Sequence, residues 1–153
     1  MIEKEALNFI LQDLPEAIIS TMFCFVFLNL RFKWKQIFVI AVLLSLTDMI
    51  ELLPVVNGIR TIILMIAFVV YIKIITRENM SRIFIAVFAV FLLSAVGDSV
   101  LGASLQYVTG LSFTHVYNIP YLRALFSYPT LFMILVITYF LYRYKKNKKV
   151  NFR

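Results

Sequence analysis

Five long apolar runs, separated by short segments that alternate between basic and free of Lys and Arg, constrain this chain more than any other feature. They read as helices over residues 9–30 (or starting at 14), 36–53, 59–76, 83–108 and 121–142. Each approaches the roughly 20 residues needed to cross a bilayer core about 30 Å thick at about 1.5 Å per residue. A soluble fold of 153 residues has no interior able to hide them. Residues AVILMFWYC make up 62% and charged residues only 15%, against roughly 45–50% and about 25% in ordinary globular domains. The expected fold is all-α: a polytopic transmembrane helix bundle of about five helices, a single domain over residues 1–153 with a basic tail at 143–153. Pro15 falls near the start of the first helix, where its missing N–H costs little, and Pro54 ends the second.

Charge in the connecting segments sets the expected orientation. Arg31, Lys33 and Lys35 follow the first helix, Lys73, Arg77 and Arg82 surround the third connection, and six of the fifteen Lys and Arg lie between Arg143 and the C-terminus. By the positive-inside rule these regions face the cytoplasm. The alternate regions agree: Glu3, Glu5, Asp13 and Glu16 outweigh Lys4, and TGLSFTHVYNIP carries no Lys or Arg. The N-terminus is expected outside and the C-terminus inside, in a multi-pass protein of the inner or plasma membrane. The acidic start MIEKEALNFILQDLPEA does not read as a signal peptide, which opens on a positive region. Trp34, Tyr71, Tyr139, Tyr142 and Tyr144 are expected at the inner interface, and Tyr107, Tyr117 and Tyr121 at the outer one.

A net charge of +7 does not imply nucleic acid, because the cations cluster beside the apolar runs rather than over a face. Their expected partner is the bilayer itself, through anionic headgroups at the tail.

Acids within apolar runs need a reason, since each costs about 2.5–3.5 kcal/mol on insertion scales. Asp48 and Glu51 lie late in the second helix and Asp98 in the fourth; Arg60 opens the third and Arg123 the fifth. All five fall in the expected outer half. On the fourth helix, Ser94, Ala95, Asp98, Ser99, Gly102, Ala103 and Gln106 share one side, with Leu93, Val96, Val100 and Leu101 opposite, toward lipid. Small residues at such spacing let backbones approach. Three readings of the charges stay open: ion pairs that fix helix packing, a ligand site open to the outside, or an ion or proton path. Enzyme chemistry is not expected, nor a cofactor or metal. His115 is the sole histidine and lacks metal-ligand spacing, Cys24 is the sole cysteine and sits in an apolar run, and no Gly-rich phosphate loop occurs.

Two stretches carry a family resemblance. ELLPVVNGIRTIIL contributes Leu52, Leu53, Pro54, Gly58, Arg60 and Thr61; TGLSFTHVYNIPYLRALFSYPTLFMIL contributes Thr109, Gly110, Leu111, Pro120, Leu122, Arg123 and Pro129. In these the chain resembles the small five-helix membrane sensor domains of Firmicutes associated with GHKL-type sensor histidine kinases. Glu51 stands where that pattern has a basic residue, and Arg60 where it has histidine. The resemblance implies a sensing or docking module without the kinase core. A kinase or response regulator is then the implied cytoplasmic partner. The alternatives are a small transporter or channel component, or a structural membrane subunit.

Overall fold

The apolar runs fold as helices, as their length favours, and the last of them carries Pro129 in its interior. A computed structural model describes residue 7 and residues 9–48, 57–110 and 119–148 of the chain. Among these there are five helices and no strand. Helix α1 spans Leu14–Phe27 and continues a π-helical turn at Phe9–Asp13. Helix α2 spans Trp34–Asp48 and α3 spans Asn57–Thr76. Helix α4 begins as Met80–Gly97, passes through a second π segment at Asp98–Gly102 and ends as Ala103–Thr109. Helix α5 spans Pro120–Asn147.

Three segments are long and apolar enough to cross a membrane by length and composition: Phe9–Phe27 (19 residues), Met80–Thr109 (30 residues) and Tyr121–Asn147 (27 residues). They mark a membrane protein. The apolar part of α3, Thr61–Thr76, is shorter, and α2 has 15 described residues. The expected continuation of α2 through residue 53 lies outside the described residues.

Helix α1 is the hub, packed against α2, α4 and α5, while α3 closes the bundle between α2 and α4. The densest packing surrounds its second half, where Cys24, Phe25 and Val26 meet Ile37 and Ile40 of α2, with Ile72, Ile83 and Val87 from α3 and α4. Cys24 is a free, fully buried thiol in this apolar setting.

The helix ends at this packed pole are tied by local geometry. Asn29 adopts φ 60°, and Asn29 N–H and Leu30 N–H donate to the Val26 and Phe25 carbonyls at 3.2 and 2.8 Å. This is a Schellman close, with Asn tolerating the left-handed position. Lys145 Nζ then donates to the Val26 and Phe27 carbonyls and to Asn29 Oδ1 at 3.0, 2.8 and 2.7 Å. An ammonium there satisfies carbonyls that a helix C-terminus leaves open and opposes its negative dipole end. That anchor explains why α5 runs to Asn147, beyond the boundary expected at residue 142. Across the α3–α4 turn, Arg77 takes φ 56°, Lys73 Nζ donates to the Glu78 carbonyl at 2.6 Å, and Asn79 Oδ1 caps α4 by accepting from Ser81 N–H at 3.2 Å.

Tyr71, expected at the inner interface, is half-buried and its hydroxyl lies 2.7 Å from Thr47 Oγ1 of α2. The small-residue face of α4 is also narrower than its spacing suggested. Ala95, Ser99 and Ala103 are exposed and Ser99 bonds back to the Ala95 carbonyl, whereas Leu93 packs against the core. The close contact with α5 uses Gly97 instead.

Candidate functional site

Polar side chains converge at the pole opposite the Asn29 turn. Helix α1 brings Gln12, Asp13, Glu16 and Ser20 there along its first turns. Helix α2 brings Asp48, its last described residue, one turn beyond buried Ser45. Helix α4 supplies Ser94, Asp98, Gly102 and Gln106, and α5 supplies Arg123, Ser127 and Thr130 at i, i+4 and i+7, which puts them on one side of the helix.

These residues line two cavities. The first, about 90 Å³, lies among α1–α4, with Asp13, Glu16, Ser20, Ser45, Asp48 and Ser94 above Leu44, Phe68 and Val90. The second, about 110 Å³, lies between α1, α4 and α5, with Gln12, Glu16, Asp98, Gln106, Arg123 and Thr130 on its walls. Glu16 and Ser94 belong to both, so the Glu16 carboxylate stands on the partition. It lies within electrostatic reach of Asp98, Asp48, Asp13 and Arg123. No hydrogen bond or ion pair among the described residues holds it. Gln12 Oε1, on the wall of the second cavity, is likewise buried without a hydrogen-bond partner there.

Backbone geometry shapes the second cavity. Both π segments border it, Phe9–Asp13 through Gln12 and Asp98–Gly102 through its two terminal residues. A π segment adds a residue to one helical turn and re-aims the side chains around it, a feature frequent at functional sites. Asp98 begins the second one and accepts a hydrogen bond from Thr130 Oγ1 at 2.8 Å. Gly97 makes that approach feasible: a Cβ at this position would stand 2.6 Å from Thr130 Cγ2 and 2.9 Å from Met133 Cε. Tyr128 Oη donates to the Leu11 carbonyl at 3.1 Å and ties α5 to the first π turn.

Of the five residues singled out from sequence, Asp98 and Arg123 line one cavity and Asp48 lines the other, with Glu16 between them. Glu51 and the side chain of Arg60 lie outside what the structure describes, as does His115. From sequence, Glu16 and Asp13 count only among the acids of the N-terminal region, and Thr130 does not stand out. The signal was present in Gln12, Glu16 and Ser20 at i, i+4 and i+8, one polar stripe entering an apolar helix. Among the described residues no group of three or more His, Cys, Asp or Glu side chains is placed to hold a metal ion. The chain matches no protein-family profile, no curated protein and no solved structure.

Proposed function

We propose that the chain is a sensory or regulatory membrane module that binds a small ligand at the polar pole and conveys occupancy through the helices to a cytoplasmic partner. The observation that carries this reading is the pair of polar cavities sharing Glu16, a carboxylate with no hydrogen bond among the described residues. With Asp13, Asp48 and Asp98 nearby and Arg123 the one described cation on the walls, the preferred ligand carries an ammonium or other cationic donor. Arg123 suits a second, anionic group on the same molecule, because its planar fork recognises carboxylates. An amino acid or short peptide combines both groups.

The closed base of the cavities favours binding over conduction. Below Leu44, Phe68 and Val90 come Phe25, Ile40, Ile72 and Val87, all fully or almost fully buried and apolar. A transporter or channel component would need polar groups at that level. The multi-pass reading, with the polar pole outside and the basic pole in the cytoplasm, rests on the clustering of Lys and Arg at one pole. Lys145 there lies within electrostatic reach of Arg82, and Arg82 is 3.7 Å from Glu78. The resemblance to kinase-associated sensor domains supplies the kind of partner proposed.

Binding is tested by thermal unfolding of the purified full chain in mild detergent against a panel of amines, amino acids and short peptides. A true ligand at about 100 times its Kd adds about 2.7 kcal/mol of stability. Stabilisation by zwitterionic or cationic compounds that disappears in Glu16→Gln is the expected result. Stabilisation by none of them, or equal stabilisation of wild type and variant, overturns the assignment. Orientation is tested separately with single cysteines on a Cys24→Ser background. Labelling of position 150 by an impermeant reagent in intact cells would reverse it.

A further inference from the structure

A third cavity opens on the flank of the bundle between α1 and α5, toward the basic pole. It holds about 190 Å³ and is walled by Ile19, Met22, Phe32, Leu135, Tyr139 and Tyr142. The one aliphatic hydroxyl in its lining, Thr138, already donates to the Ile134 carbonyl at 2.7 Å. A slot with no spare polar group in its floor favours hydrocarbon over water.

Its mouth has a different character. Two rows of α5 leave the slot, Leu135–Tyr139–Arg143 at i, i+4 spacing and Leu135–Tyr142–Lys146 at i, i+7 and i+11, so each row ends on an exposed cation. On the facing wall, Phe32 stands between exposed Arg31 and Lys33 and meets the Tyr142 ring edge-on at 5.7 Å. An apolar slot with an aromatic rim and four cations at its mouth suits one class of molecule: an acyl chain carrying an anionic headgroup. A second copy of this chain would bring the same four cations against these, which opposes self-association through this face.

We propose that this flank is a binding site for an anionic membrane phospholipid. One acyl chain lies in the Leu135–Tyr139 slot, and the phosphate is held among Arg31, Lys33, Arg143 and Lys146. The site rests on none of the residues of the polar pole and stands or falls separately from the ligand reading.

Trp34 provides the probe. It is the sole tryptophan of the chain, is 65% exposed, and stacks on Phe32 with ring centroids 6.4 Å apart. The full-length chain is reconstituted into vesicles containing equal mole fractions of either brominated phosphatidylglycerol or brominated phosphatidylcholine, and Trp34 quenching is read. The anionic lipid should associate roughly fivefold more strongly or better, the factor contributed by about one basic residue near an anionic surface. The double variant Arg143→Gln, Lys146→Gln changes only exposed side chains and should bring the ratio toward one. Leu135→Phe fills the slot without adding a tryptophan and should reduce quenching by both lipids. Equal quenching by the two lipids in the wild type overturns the proposal. So does quenching untouched by Leu135→Phe, which would report general bilayer contact rather than the slot. Quenching that falls as protein is concentrated in the membrane, and stops falling in Leu135→Phe, would assign the slot to a second copy and overturn it as well.

Discussion

Phe25 and Glu16 lie on the same helix about two and a half turns apart, and their surroundings are opposite. Phe25 is 1% exposed, in a dry cluster to which α2, α3 and α4 all contribute. Glu16 stands between two cavities, near four other charges, with no hydrogen bond of its own among the described residues. Helix α4 repeats the division. Ile83, Ala86, Val87 and Val90 are buried in its first half, while Asp98–Gly102 and Ala103–Thr109 bury no residue. Lipid supplies no hydrophobic drive for helices to associate, so packing and interhelical polar contacts must do so. A bundle that concentrates tight packing at one pole is free to leave the other open. That division is what a receptor for a small ligand requires: a firm base and a site whose side chains are not all committed to one another.

The largest expected effect tests the packed pole against the open one. Phe25→Ala should destabilise the bundle by about 3–5 kcal/mol, the usual loss for a buried phenylalanine. Phe91→Ala, on the wall of the first cavity, should cost clearly less, about 2 kcal/mol or under, because a site already bordered by space loses fewer contacts. Equilibrium unfolding in mild detergent measures both. Equal losses would mean that the two poles are packed alike.

Gly97 probes the seam between the poles. Gly97→Ala should cost about 1–3 kcal/mol, as overpacking generally does, because its Cβ would meet Thr130 Cγ2 at 2.6 Å. Thr130→Ser removes that methyl and keeps the hydroxyl that Asp98 accepts from. The double variant should therefore recover much of the loss, while Met133 Cε moves aside as the end of a flexible chain. Strict additivity of the two changes would show that the helices do not meet at this point.

The two poles were unequally legible in the sequence. Apolar runs announced the helices, and the basic clusters announced a pole, because both are properties of composition along a segment. Asp48, Asp98 and Arg123 could be singled out, since a charge within an apolar run is conspicuous wherever it lies. Glu16 was not conspicuous: it sits near the start of its helix, where an acid also reads as a solvated flank. Its place on a partition depends on which helices surround α1, and that is a tertiary fact. The π segment at Asp98 was equally hidden, because a single inserted residue leaves the apolar pattern of α4 intact. Thr130 escaped for the opposite reason, as Thr is common in membrane helices and only the Gly97 approach gives it a partner. Lys145 reads as one charge in a tail; its three acceptors lie at the end of α1 and in the Asn29 turn after it, more than a hundred residues away in sequence.

Lys145 sharpens the basic pole itself. Lys145→Met keeps the aliphatic stem and deletes the ammonium, leaving the Val26 and Phe27 carbonyls without that donor. The expected loss is about 1.5–3 kcal/mol, the range for hydrogen bonds to a charged group. Lys146→Met, one position along and exposed, should stay within about 0.5 kcal/mol of wild type. Thermal unfolding at matched detergent concentration distinguishes them. If both variants behave alike, positive charge at this pole acts collectively and the cap on α1 is incidental.

Among the polar-pole variants, the smallest loss belongs to the residue on which the comparison turns. Glu16→Gln preserves the shape of the side chain and removes its charge. The change removes repulsion from Asp13, Asp48 and Asp98 together with attraction to Arg123, all within electrostatic reach. With no hydrogen bond to break among the described residues, the variant should range from unchanged to about 1 kcal/mol more stable than wild type. Phe25→Ala lies at the other extreme, and Asp98→Asn should lie between them, because Thr130 donates to that carboxylate. The three are compared by unfolding in one detergent, at a pH where carboxylates are ionised in the unfolded chain. A Glu16→Gln variant that unfolds as readily as Phe25→Ala would show that this carboxylate is a structural keystone, and the polar pole would then be a second packed core rather than an open site. A stable variant that has lost its response to ligands would separate binding from folding at a single side chain, the Glu16 carboxylate shared by the two cavities.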